Sequence, residues 1–146
     1  MPKKFIDINL SPEEIRKGLK QIKNWEVKKK GQAVQAVASS ALAIQREAKR
    51  AAPVDTGRLR AGIVPEFSPS GLTAKIFVRN VVYAPYREFG TGSKVEIPKG
   101  YEAFAAQFKG KGVRQVDSKA QPHLIPAFEN EQPKFIKKIK KILHLK

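Results

Sequence analysis

A chain of 146 residues is long enough for one modest hydrophobic core and too short for two independent ones. Its 29 lysines and arginines against 13 aspartates and glutamates leave a net charge of +16, which marks a protein that meets polyanions or an acidic protein surface. The absence of cysteine excludes a disulfide scaffold, a thiolate metal site and a cysteine nucleophile, and no apolar run approaches the roughly 20 residues of a membrane span.

Met1-Pro2-Lys3-Lys4 leads into Phe5 to Leu10, which alternates and is too short for a signal h-region, so the chain is expected to be soluble and not exported by that route. Ser11-Pro12-Glu13-Glu14 then reads as a helix start, with Ser11 as N-cap, Pro12 in the first turn and Glu14 closing a capping box. Ile15, Leu19 and Ile22 give that helix one apolar face. The run Lys28-Lys29-Lys30 before Gly31 interrupts the pattern, which predicts either a short break or a bend, and a second, longer helix follows. It carries Val34, Val37, Ala38, Ala41, Ile44, Ala48 and Ala51 at helical spacing, and it ends where Pro53 disfavours helical geometry at Ala52. The two helices are expected to pack as a hairpin.

Asp55-Thr56-Gly57 has the residues of an aspartic-protease triplet, but such a triplet follows an apolar strand and leads to a small residue, whereas this one follows a helix stop and leads to Arg58 and Arg60. A plain turn, with Gly57 in a conformation other residues avoid, is the better reading. Leu59 to Phe67 and Leu72 to Arg79 both alternate around Ser68-Pro69-Ser70-Gly71, as a β-hairpin does, with Pro65 at an edge or bulge. Phe77 falls on the polar face of the second strand, either as a partner contact or as an ordinary exposed aromatic. Val81-Val82-Tyr83 is a candidate third strand, pivoting at Asn80, before Ala84 to Gly92 turns the chain again.

Residues 92–121 hold no sustained period and scatter Lys94, Lys99, Lys109, Lys111, Arg114 and Lys119 among glycines, which predicts a flexible basic loop ordered by contact with a neighbour. Tyr101, Phe104, Ala105 and Phe108 within it match one short amphipathic helix, docking on a partner or capping the chain's own core. The segment 122–146 reads as helical, with Phe128, Phe135, Ile139 and Ile142 as an apolar stripe that docks on the body or on a partner. Pro133 either kinks it or marks its start. Lys137, Lys138, Lys140 and Lys141 lie around the stripe, facing solvent, DNA or an acidic neighbour. The whole is read as one domain, residues 1–146, of α+β class: N-terminal helices, the long one packed on a small antiparallel sheet, then the basic loop and the C-terminal helix.

Converging catalytic groups are missing. His123 and His144 lack partners at metal-ligand spacing, no HExxH or G-x-S-x-G occurs, and Gly90-Thr91-Gly92 does not extend into a nucleotide fingerprint, so no catalytic, metal or cofactor residue is assigned and no enzyme is expected.

Three signatures remain, in order: Pro53, Asp55, Thr56, Gly57, Arg58 and Leu59; then Tyr83 leading to Glu88, Phe89, Gly90 and Thr91; then Pro122, Pro126 and Phe128 in Gln121-Pro122-His123-Leu124-Ile125-Pro126-Ala127-Phe128. With their intervals, from about Leu19 to Phe135, the chain resembles the tailed-bacteriophage neck and tail-completion (minor tail component) family named after the tenth gene product of a lambdoid coliphage. The basic loop and the basic tail after Pro133 depart from that pattern. The resemblance implies a structural virion protein and a head-tail connector that forms a homo-oligomeric ring, sixfold favoured, around the DNA channel. Its partners would be neighbouring neck and tail-tube proteins and phage DNA held without sequence preference, with assembly in the host cytoplasm and no membrane or cofactor. The alternative is a sequence-nonspecific nucleic-acid-binding protein; a prophage-borne toxin or regulator is a third reading. Contact between Arg58 or Arg60 and Glu88 is expected at one end of the sheet, within the subunit or across an interface.

Overall fold

The computed structural model describes residues 11–103 and 118–144. They form an α+β arrangement dominated by one helix, α1, which runs unbroken over the 40 residues Pro12–Ala51. Of the break or bend expected at Lys28-Lys29-Lys30, the break is absent, and there is no helical hairpin within 12–51. Lysine propagates a helix well, and a single Gly31 lowers helix stability by only about 1 kcal/mol. The apolar pattern lapses there without ending the helix, and residues 12–28 before it are mostly exposed. The stop at Pro53 is where the sequence puts it, with Ala52 buried and its amide bonded to the Ala48 carbonyl at 2.8 Å.

A short helix, α2 (Arg58–Gly62), stands where the first half of a strand is expected, and β1 is confined to Ile63–Phe67. Leu59 and Ile63 are both buried while Ala61 between them is exposed, so the spacing of four that fits a strand belongs here to a helical turn. β1 pairs antiparallel with β2 (Ala74–Val78), Ile63 opposite Val78 and Phe67 opposite Ala74. The Ser68 to Gly71 turn forms as predicted, closed by Gly71 N donating to Ser68 O at 2.9 Å. Gly71 has φ +73, and a side chain there would meet Val34 of α1 at 2.8 Å. Phe77 is half-buried, with Lys75 and Arg79 5.5 and 5.6 Å from its ring centre.

Among the described residues the sheet has two strands, and Val81-Val82-Tyr83 does not add a third. Asn80 pivots with φ 56, but Val82 is 88% exposed, and Ala84 N bonds Val81 O at 3.2 Å as the chain turns into α3 (Ala84–Phe89). Pro85 explains the change, because it cannot donate to a strand ladder but fits the first turn of a helix. A 3₁₀ turn, Gly92–Lys94, follows. Of the amphipathic helix expected from Tyr101 to Phe108, Phe104, Ala105 and Phe108 lie outside the described residues, as do Lys109, Lys111 and Arg114.

The last helix, α4 (Leu124–Leu143), begins well before Pro133 and continues through it. It lies antiparallel along α1: Asn130 meets Glu47 at 2.6 Å, Glu131 accepts from Ser40 at 2.8 Å, and Lys29 Nζ donates to the Ile142 carbonyl at 2.6 Å. Small residues of α1 permit the approach, since Ala36, Ser40, Ala41 and Ala48 are all buried. The main core joins Ile44, Ala48, Ala52, Leu59, Ile63, Ala84 and Ala127, and a second cluster forms around Phe89 and Ile125. No helix among the described residues is long and apolar enough to cross a membrane.

Continuity of α1 gives a direct test. A Cβ at Gly31 would meet nothing within 4 Å, so Gly31→Ala is expected to stabilise the protein, or at least its α1 amides, by about 0.5–1 kcal/mol. Hydrogen exchange across residues 24–38 measures this; a loss of protection would place a break at Gly31.

Candidate functional site

The three sequence signatures meet at one corner of the fold, and the residue that joins two of them is Glu88. It is 6% exposed at the end of α3, and its carboxylate points at the N-terminus of α4. Oε2 accepts from the His123 and Leu124 amides at 3.0 Å each, and Oε1 accepts from the Ile125 amide at 2.9 Å. Residue 126 is proline and has no amide hydrogen. The amides left without intrahelical partners at the head of α4 are thereby all accounted for by one remote carboxylate and one proline. The negative charge also sits at the positive end of the helix dipole.

His123 adds a fourth bond. Its Nδ1 lies 2.9 Å from Glu88 Oε2 and 3.2 Å from the Gln121 carbonyl, and the side chain is 1% exposed, with Nε2 buried and without a hydrogen-bond partner among the described residues. Burial works against the charge on both groups. For Glu88 it is outweighed by the His123 bond and the three amides, and the pKa is held below its ordinary 4.5. For His123 burial is outweighed by the bond to Glu88 and its charge, with help from the Gln121 carbonyl, and the pKa rises above 6.5.

Gly90 closes the same corner. With φ +77, its place for a Cβ is filled by the Lys94 carbonyl, the Ser118 carbonyl at 2.8 Å and the Ala120 amide at 2.9 Å. Thr91 ties the adjoining segments together, its amide donating to Ser118 O at 2.9 Å and its hydroxyl accepting from Ser118 N at 2.8 Å. Gln121 N reaches Arg87 O at 2.7 Å, and Phe89 is buried against Ile125. The expected contact of Arg58 or Arg60 with Glu88 is not made in the subunit: both arginines are exposed, and Glu88 is committed to α4 and His123. A carboxylate with four donors of its own has no need of a guanidinium.

The remaining signature residues line a cleft of about 640 Å³ beside this latch. Pro53, Asp55, Thr56, Gly57, Arg58 and Leu59 form one wall, and Tyr83, Tyr86, Arg87, Ser118 and Gln121 the other. Gly57 has φ +78, as the turn reading requires, and precedes α2. Pro122 is exposed, while Pro126 is half-buried in the first turn of α4. Phe128 is 43% exposed, so the stripe that fastens α4 to α1 runs instead through buried Ala127 and Glu131 and half-buried Phe135, Ile139 and Ile142.

Of the candidate DNA-facing or partner-facing cations, Lys94, Lys99, Lys119, Lys137, Lys140 and Lys141 are exposed. Lys138 differs: its Nζ sits 3.2 Å from Ser40 Oγ and 3.3 Å from Glu131 Oε1, which makes it part of the α1–α4 seam. A cationic site absent from those candidates lies on the other end of α1, where Arg46, Lys49, Arg50 and Arg60 surround a depression of about 380 Å³. Three of them recur at i, i+3, i+4, a pattern legible in sequence, but Arg60 joins only through the fold of α2. Among the described residues no group of three or more His, Cys, Asp or Glu is placed to hold a metal ion.

No protein-family model matches the chain, and no curated protein or solved structure is significantly similar to it.

The latch predicts a stability profile limited on both sides of pH. Below 4.5, stability is lost as pH falls through the lowered pKa of Glu88; above 6.5, the contribution of His123 is lost as pH rises through its raised pKa, because the folded state keeps a proton that the unfolded chain has released. Denaturant melts across pH 3 to 9 measure both limbs, and His123→Gln is expected to remove the upper one. Glu88→Gln should destabilise by about 3 kcal/mol and Gly90→Ala by at least about 2 kcal/mol.

Proposed function

We propose that this chain is a structural, non-enzymatic component of the neck of a tailed-phage virion, one that closes into a homomeric ring around the DNA channel and helps to join head to tail. The observation that carries the reading is the convergence of the three signatures. Residues separated by as much as 70 positions build one corner, in which Glu88 and Gly90 lock the start of α4 while Pro53 to Leu59, Tyr83 and Gln121 line an adjoining cleft. A resemblance carried by three short, scattered motifs gains weight when the motifs turn out to serve one substructure. Such a cleft, walled by a rigid turn and the end of a latched helix, suits the reception of a neighbouring subunit. A ring lining DNA also needs cations that meet phosphate without reading sequence, and the lysine-rich surface suits that requirement.

The test is assembly. Native mass spectrometry and negative-stain microscopy of the purified chain, alone and with the products of adjacent genes, are expected to find closed symmetric particles, and the adjacent genes are expected to encode portal, capsid or tail-tube proteins. A chain that stays monomeric with all of those partners, or one flanked by no virion genes, overturns the proposal.

The second reading, a nonspecific nucleic-acid binder, is favoured by the depression between Arg46, Lys49, Arg50 and Arg60. Under that reading duplex affinity falls steeply with salt, and replacing all four residues by glutamine lowers the slope of log K against log salt by about 3–4. An unchanged slope assigns no DNA contact to this surface.

A further inference from the structure

We propose that residues 12–28 of α1 form a docking arm for an acidic amphipathic helix of a different protein, which continues over the arm the packing that α4 gives the rest of α1. Ile15, Leu19, Ile22 and Trp25 are 46, 62, 62 and 55% exposed on this arm. They do not form a stray patch. Ile15, Leu19, Ile22, Glu26, Lys29, Ala33, Ala36 and Ser40 follow one another at alternating intervals of four and three, the seam spacing of a coiled coil, and Ala36 and Ser40 at the far end of this row are buried beneath α4.

α4 stops covering that seam at a definite level. Lys29 Nζ donates to the carbonyl of Ile142 near the end of α4 and lies 3.1 Å from His144 Nε2, so the helix finishes beside Lys29 and the seam runs on for about 25 Å without a cover among the described residues. The length and spacing call for a helix of four to five turns, lying along α1 in the place that α4 leaves empty.

Charge selects among occupants. Arg16, Lys23 and Lys30 recur every seventh residue along one border of the seam, and residues 12–28 as a whole are basic. A second copy in antiparallel register sets this cationic border against itself; in parallel register it stacks Glu26 on Glu26 and Lys29 on Lys29 within the seam. Each copy also brings a net charge of +16. A nucleic acid satisfies the cations but leaves Ile15, Leu19 and Ile22 in water. A helix with an apolar stripe and glutamates beside it satisfies both.

The chain carries one tryptophan, Trp25, at the edge of the seam, and it reports occupancy directly. The probe is a 21-residue heptad peptide with leucine at the seam positions, one seam lysine to meet Glu26, and glutamate on both borders; its control carries lysine on the borders. Titrated into the full chain at low salt, the acidic peptide is expected to shift Trp25 emission to the blue and to bind at least about tenfold more tightly than the control. Leu19→Asp with Ile22→Asp should abolish binding and leave the melting of the protein unchanged, and Arg16→Glu with Lys23→Glu and Lys30→Glu should reverse the preference between peptides. The proposal is overturned if the two peptides bind alike or not at all. It is equally overturned if the chain self-associates through the arm in a way that Ile22→Asp dissolves, if duplex DNA and not peptide shifts Trp25, or if the aspartate pair lowers the melting temperature because the chain's own residues cover the stripe.

Discussion

A twenty-residue helix starts with amide protons that nothing inside the helix can accept, and in α4 those protons are gathered by a carboxylate that arrives from α3, thirty-five residues earlier in sequence. The placement of α4 follows from this. Glu88 can reach His123, Leu124 and Ile125 only if α3 has been turned by Asn80 and Pro85 to point at them, and only if Gly90 lets the next segment pass against Ser118 and Ala120. The bond from His123 Nδ1 then offsets part of the cost of burying that charge.

Once its start is fixed, α4 is aligned by a second polar group in an otherwise apolar seam. Glu131, buried between the helices, takes a hydrogen bond from Ser40 and an ammonium from Lys138. Sliding α4 by one turn along α1 would strand that carboxylate among Val37, Ala41 and Ile44, so the polar group sets register while the small residues set distance. The hairpin is positioned by a tight contact of a different kind, Gly71 against Val34, which seats its tip on the same helix.

Local chemistry made several of these features legible from sequence. Pro53 ends α1, Ser68 to Gly71 turns the hairpin, and Asn80 pivots because each acts through its own backbone preference. Two readings failed where a pattern had two meanings. Leu59 and Ile63, four apart, satisfy a strand and a helical turn equally, and burial of both with Ala61 exposed decides for the helix. The lysines at 28–30 interrupt the apolar pattern without breaking the helix, because they mark the level at which α4 ends beside Lys29. Glu88 stands out in the sequence, but its partners within the subunit are the head of α4 and His123, which capping rules do not point to because they look for Ser, Thr, Asp or Asn beside the helix. The signal was present in negative form: Gln121-Pro122-His123 offers α4 no strong cap of its own, so a remote acceptor was required.

Because α1 is one uninterrupted helix, about 60 Å from end to end, it has the mechanical character of a strut. No loop separates its tip from the core residues Ile44 and Ala48, so the direction in which the tip is held fixes the orientation of the sheet and of the Glu88 corner, with no tether entropy lost between them. Two contacts made at opposite ends of such a strut are spaced by the helix itself, and lengthening or shortening it by one residue would rotate one end against the other by about 100°. The register of that helix is therefore a dimension of any assembly that uses both ends.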